Sequence, residues 1–417
     1  MAGWGLLVRL CLVNAAIGGL AALPVNLFNR LMTVELALPA LLPGLLVALH
    51  YGVQLTRPVW GHRSDTRGGR TPFILGGMAL VGAGVLGAAW GIQVAVASVP
   101  WALAVWVISY VAIGLGIGAA GTSFLALLAS VTGARKGAAA TLAWLMLIAG
   151  AIIASVGTGV ALEPYSTARL VTVVAVVVAI ALVLCGLATW NVERKGVAVP
   201  PTQDAPLMQA LRDTWADPMA RRFTGFVFLS ILAFYLSELI FEPFAGHIHG
   251  LSPEDSTKLS GGKDGAALMG MIGAGVLSQL RLGSLRFWAV AGCILSAAGL
   301  LGLGAQLPLV PSTVVLGLGN GLFVVGAVGS MMQLAAAHAK ATGTRMGVFG
   351  AAQAIAAGLA GLIATGTLDI ARLILPDAIA YATVFTMEAA LFLAAAIVAA
   401  RVMQGADYSD ATLVPGE

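Results

Sequence analysis

Apolar runs of about twenty residues recur along the whole chain, each separated from the next by a short stretch where charges collect. The runs "LPALLPGLLVALHYGVQLT" and "FILGGMALVGAGVLGAAWGI" flank the charged stretch "WGHRSDTRGGRTP" at residues 60–72. At about 1.5 Å rise per residue, such a run crosses roughly 30 Å of hydrocarbon as a helix. Backbone polar groups in a bilayer must be satisfied within the protein, which leaves helices and closed barrels. Barrel strands alternate polar and apolar residues over about ten positions, and these runs do not alternate. The expected fold class is therefore an all-α, polytopic membrane protein.

Composition agrees. Of the 417 residues, 59% are hydrophobic and 10% charged, with mean hydropathy +0.96, where a soluble domain carries about 25% charged residues. The net charge of +4 fits basic loops held on the cytoplasmic side. No stretch interleaves aromatic with basic residues, so no nucleic-acid partner is expected. Cys11, Cys185 and Cys293 sit far apart inside apolar runs, without metal or disulfide spacing. The N-terminus lacks a basic region followed by a small-residue cleavage site, and reads as a retained first helix.

Twelve spans are expected, near 5–29, 38–59, 72–93, 101–128, 138–161, 169–190, 223–245, 265–280, 287–306, 312–336, 347–368 and 379–400. Sixteen Lys and Arg fall in one set of alternate loops and five in the other, which includes Arg30, Lys258 and Lys263. The positive-inside rule puts the richer set, and both termini, in the cytoplasm. The Pro-rich segment 191–222 reads as a linker between six-helix halves at 1–190 and 223–402, followed by a tail at 403–417. "GLGIGAAG" (114–121) echoes "GLGNGLFVVG" (317–326), as parallel repeats do.

Twelve spans, a central linker and this echo resemble the major facilitator superfamily. Its loop between helices 2 and 3 carries a glycine, acid and basic pattern matched here by Gly61, Asp65, Gly68 and Arg70. Thr66 and Gly69 stand where basic residues are usual, and Arg67 is out of step. Glycines allow a tight turn, and the charges suit a latch on neighbouring helix ends.

Three further stretches narrow the resemblance: "LFNRLMTVELALPALLPGLLVALHYG" (27–52), "RTPFILGGM" (70–78) and "LSELIFEPFAGHIHGLSPEDSTKLSG" (236–261). They are similar to signatures of the PucC/LhaA family of phototrophs, in its subgroup associated with bacteriochlorophyll genes. Phe244 and Glu238 replace the Tyr and Asp common there and keep the chemical type. The resemblance implies work in pigment delivery or assembly of light-harvesting and reaction-centre complexes. It implies bacteriochlorophyll or a late precursor as cargo, and a multi-pass place in the inner, intracytoplasmic membrane. Membrane lipid, pigment-biosynthesis enzymes and antenna or reaction-centre polypeptides are the implied partners.

Several residues are candidates for that work. Glu238 and Glu242 lie four apart in "SELIFEPF", so they project from one face of the seventh helix, with Pro243 kinking or ending it. They bind protons or cations, hold a pigment's polar edge, or pin the helix to a neighbour. His50, mid-span, either ligates a pigment magnesium or bonds a group on a nearby helix, such as Tyr51 or Gln54. Asn29, Arg30 and Glu35 bracket the first periplasmic turn, for docking or for locking a helix pair. His247 and His249 read as a polar periplasmic cap. The glycine-rich stretches allow close helix approach or leave room for a flat macrocycle.

No catalytic constellation is present: no G-x-S-x-G, no G-x-x-x-x-G-K-[ST], no H-E-x-x-H and no aspartate-rich diphosphate site. The expectation is a non-enzymatic pigment carrier or assembly factor, with no protein-bound metal. The alternative is a secondary transporter of a small solute, followed by a scaffold for a synthase.

Overall fold

A computed structural model describes residues 4–57, 60, 69–132, 136–193, 215–216, 218–280, 282–336 and 342–402. The described residues are helical, with turns between them. In the first half α1 (Trp4–Leu23) continues through two wider π-helical turns, Pro24–Phe28 and Leu31–Glu35. Then follow α2 (Leu41–Val53), α3 (Thr71–Ala95), α4 (Val99–Thr132), α5 (Lys136–Ala161) and α6 (Thr167–Thr189). In the second half come α7 (Pro218–Leu236), α8 (Phe241–His249), α9 (Pro253–Gln279), α10 (Leu285–Gly304), α11 (Leu309–Ala336), α12 (Thr342–Arg372) and α13 (Asp377–Val402).

Ten helical segments among the described residues are long and apolar enough to cross a membrane, with α7 and α8 counting as one broken span. The chain is a multi-pass membrane protein. Helix α2 is short, and α9 is too polar to qualify by composition. Most expected spans match an observed helix within a few residues. The eighth does not: α9 begins at Pro253, well before residue 265. Ser252 caps it, its hydroxyl accepting from the Asp255 N–H, with Pro253 at the first helical position and Glu254 and Asp255 in the first turn. These are the residues a helix start favours. Lys258 and Lys263, expected in a loop, are therefore helical.

One apolar core is built mainly from α1 to α6 and a second from α7 to α13. Between them α2 packs on α12 and α5 on α9. Glycines set how closely helices cross. A Cβ on Gly18 or Gly150 would run into the α5 or α1 backbone at Leu147 or Ala15, and one on Gly321 would strike Ala267 of α9. Gly114 faces the His50 carbonyl, where a Cβ would sit 2.6 Å from the oxygen. The space at Gly114 and Gly116 of "GLGIGAAG" and at Gly317, Gly319 and Gly321 of "GLGNG" is thus filled by neighbouring helices, while Gly121 has nothing within 4 Å of an added Cβ. Cys11, Cys185 and Cys293 are buried free thiols.

Replacing Gly150 with Ala should push α1 from α5 and destabilise the protein by about 1–3 kcal/mol. Gly157, on the same helix, has nothing within 4 Å of its added Cβ, so Gly157→Ala should be neutral or stabilising. Thermal unfolding of the two variants in detergent checks the contrast.

Candidate functional site

The seventh span is broken. Helix α7 ends at Leu236 and α8 begins at Phe241, while the Ile240 and Phe241 N–H groups both donate to the Ser237 carbonyl. The break precedes Pro243, which sits within the first turn of α8. A proline nitrogen cannot donate, so the Leu239 carbonyl four residues back loses its helical partner. Asn29 of the first span replaces it, donating from Nδ2 to the Leu239 oxygen. This bond ties the two halves together across the break.

The break also sets the acids apart. Glu238 lies in the turn and Glu242 in the first turn of α8, so they do not share one continuous helix face as their spacing suggested. Glu238 Oε1 pairs with Lys263 Nζ of α9 at 2.7 Å, the side chains being 13% and 3% exposed. The ammonium also lies 5.1 Å from the Phe241 ring centre. Glu242 is fully buried and accepts from the Thr257 hydroxyl at 3.3 Å, leaving Oε1 without a partner. Glu388 of α13 is also fully buried, and neither of its oxygens has a hydrogen-bond partner. The sequence reading missed Lys263 and Glu388. An isolated acid within an apolar run, in "FTMEAALF", was the signal for the second.

At the Glu35 end of the bundle, polar contacts cross between the halves. Asn29 and Arg30, expected in a turn, are still helical, because the π-helical turns carry the first span on to Glu35. Arg30 is 2% exposed and pairs with Glu35 at 2.7 Å, and its other nitrogen donates to the Leu251 carbonyl at 2.5 Å. Asp369 of α12 accepts from the Ala40 and Leu41 N–H groups at 3.0 and 2.7 Å, filling the N-terminus of α2. Lys258 reaches Glu163 at 3.3 Å, an exposed contact. Tyr165, in the turn after α5, has its phenol pushed up to about 12 by burial, with the Glu35 charge adding to it. His247 Nδ1 meets the Tyr381 hydroxyl at 2.8 Å, and Gly250 closes α8 with φ +64°.

His50 stands on α2 and is 6% exposed. Its partner is Gln54 of the same helix, with Nε2 to Nε2 at 2.9 Å. Arg57 donates to Gln54 Oε1. Arginine has no acceptor, so the amide presents its oxygen to Arg57 and its NH2 to His50. His50 Nε2 then accepts, the ring proton lies on Nδ1, and Nδ1 has no partner. Neither ring nitrogen offers a free lone pair to a magnesium ion while this relay stands. Tyr51 packs edge-on against Tyr235 of α7, ring centres 5.9 Å apart, so the relay adjoins the acid cluster.

Of the loop motif, Gly61, Asp65 and Gly68 lie outside the described residues, as do most of the expected linker and all of the tail. Arg70 donates from Nη1 to the Ala126 carbonyl of α4 at 2.6 Å. The Arg70 and Thr71 N–H groups donate to Glu193 at 2.5 and 2.9 Å, so a carboxylate from the end of the sixth span caps α3. No group of three His, Cys, Asp or Glu converges as a metal site among the described residues.

The signature of the family described as "PUCC protein" matches residues 27–406. The chain belongs to the PucC family. It is 48% identical over 413 residues to the "Bacteriochlorophyll synthase 44.5 kDa chain" of Rhodobacter capsulatus, covering 96% of each chain. It is 28% identical over 388 residues to "Protein PucC" of Rhodovulum sulfidophilum, covering 84% of this chain and 82% of that one. The crystal structure of the nucleoside transporter NupG superposes with TM-score 0.70 at 13% identity, covering 96% of this chain and 100% of that one. The fold of this PucC-family protein is therefore of the major facilitator type.

Removing Lys263 alone would strand the largely shielded Glu238. Lys263→Met should destabilise by about 3–5 kcal/mol, and adding Glu238→Leu should recover much of that loss. Thermal midpoints of the single and double variants measure it. Equal losses in both would mean that the pair is hydrated.

Proposed function

We propose that this PucC-family protein is a membrane-embedded carrier or assembly factor that passes bacteriochlorophyll, or a late precursor, to light-harvesting and reaction-centre polypeptides. The observation that carries the reading is the near full-length, 48% identity to a protein named for bacteriochlorophyll synthesis. The chain's own residues favour carriage over synthesis. Many of its buried polar groups lock helices together, and the sequence has no acid-rich diphosphate site.

A tetrapyrrole with a long hydrocarbon tail is insoluble in water, and a seam between two helical halves holds such a molecule at membrane depth. The Nδ1–H of His50 and Oε1 of Glu242, which have no hydrogen-bond partner, are the polar anchors offered to it. Magnesium ligation by His50 requires Gln54 to release Nε2 first. Placing Lys258 and Lys263 within α9 steepens the loop-charge imbalance, which supports cytoplasmic termini in the bacterial inner membrane.

Full-length protein purified in mild detergent from a phototrophic host should carry bacteriochlorophyll absorbance and co-purify with antenna or pigment-biosynthesis proteins. His50→Leu should leave it folded but lower pigment content or shift the spectrum. No pigment and no such partner, together with solute-dependent proton flux, would replace carriage with the transport of a small solute.

A further inference from the structure

The acid cluster holds more negative charge than its partners can match. Glu238, Glu242, Asp264 and Glu388 gather around α7, α8, α9 and α13, with Lys263 as the ammonium among them. Arg30 approaches Glu242 from the first span but is committed to Glu35 and the Leu251 carbonyl. Glu388 is the sharpest case: 0% exposed, with both oxygens unpartnered. Ser237 faces it from the break in the seventh span, its hydroxyl and backbone both close to the carboxyl, although the hydroxyl closes no hydrogen bond.

Every element packed on α13 bears on its charge state. From the turn after α7 come Ser237 and Glu238, and from α9 comes Lys263. Helix α8 brings Glu242, bonded to Thr257, and His247, bonded to Tyr381. Helix α10 contributes the buried thiol of Cys293 and carries Arg286 in its first turn, while α12 carries Asp369 and Arg372 in its last turns, engaged with α2 and Asp377. Lys263 and Glu238 are the charged groups with the strongest hold on Glu388.

We propose that Glu388 is a proton-binding site, whose single exchangeable proton decides whether Lys263 pairs with Glu238 or with Glu388. An ionised carboxylate buried without a partner is not tolerated in a membrane interior. With its proton in place Glu388 is neutral, and Lys263 belongs to Glu238, as the 2.7 Å contact has it. When the proton passes to water, Glu388 becomes an anion and draws the ammonium from Glu238. The bare Glu238 then sits in the break, next to Leu239, whose carbonyl holds Asn29 of the first span. Proton release at α13 is thereby linked to the bond that joins the halves. A divalent metal as the occupant is disfavoured, since no three ligating side chains converge among the described residues.

The site is tested on the purified full-length protein without added cargo, so the outcome is separate from that of the carrier reading. Infrared difference spectra across a pH titration should show the carbonyl band of a neutral carboxylic acid at neutral pH, lost on alkalinisation. Glu388→Gln should remove the Glu388 component of this band while Glu242 keeps its own, and Glu388→Asp, which keeps a carboxyl group, should shift that component in frequency. Glu238→Gln removes the competitor for Lys263, so the band should vanish at lower pH than in the wild type. Absence of a neutral-acid band in the wild type would overturn the proposal. So would a band that persists unchanged in Glu388→Gln and Glu388→Asp, or a titration that Glu238→Gln does not move.

Discussion

The Leu239 carbonyl has no backbone donor because Pro243 has no N–H to give, and within a bilayer no water stands in. Asn29, carried from the first span by the widened helical turns before Glu35, donates to it instead. Around that bond the broken seventh span, the buried Glu238–Lys263 pair and the crossing of Arg30 to Leu251 take their places. Each is a polar group whose partner comes from another helix. The two halves are thus joined by obligatory hydrogen bonds at one end, while small residues let their backbones approach elsewhere.

The remaining contacts follow the same rule. Asp369 fills the exposed amides of a short α2, and Glu193 does so for α3. Exposed pairs such as Lys258–Glu163 contribute little, since solvent screens them. The buried groups are the ones that fix geometry: a half-satisfied Glu242, an unpaired Glu388 and a histidine whose tautomer is set by Gln54 and Arg57.

Most spans were legible because apolar length is a direct physical requirement of the bilayer. The eighth was not, because Lys258, Lys263 and Asp264 break the apolar pattern, even though "SPED" at 252–255 is a strong helix start. The cap prevails over the charges because the chain supplies Glu238 to neutralise Lys263. The i, i+4 spacing of Glu238 and Glu242 misled for a related reason. Periodicity assumes a continuous helix, and here Pro243 frees the Leu239 carbonyl, which is taken by Asn29, some two hundred positions away in sequence. His50 was recognisable as a polar residue at depth, and Gln54 was named as its partner, but on a neighbouring helix. The partner proved to be one turn on, a contact that the sequence contains and that only the Arg57 contact orients.

A fold of the major facilitator type, shared at 13% identity with a nucleoside transporter, fixes architecture and leaves the cargo open. What separates carriage from synthesis is the fate of the pigment when the protein is absent. The most direct measurement is pigment analysis of membranes from a phototrophic host lacking this chain, with the final synthetic step assayed in the same extracts. Carriage predicts that the synthetic activity persists while newly made antenna and reaction-centre polypeptides fail to acquire pigment and are degraded. Loss of the synthetic activity itself, with accumulation of its immediate precursor and restoration by purified protein, would contradict the account.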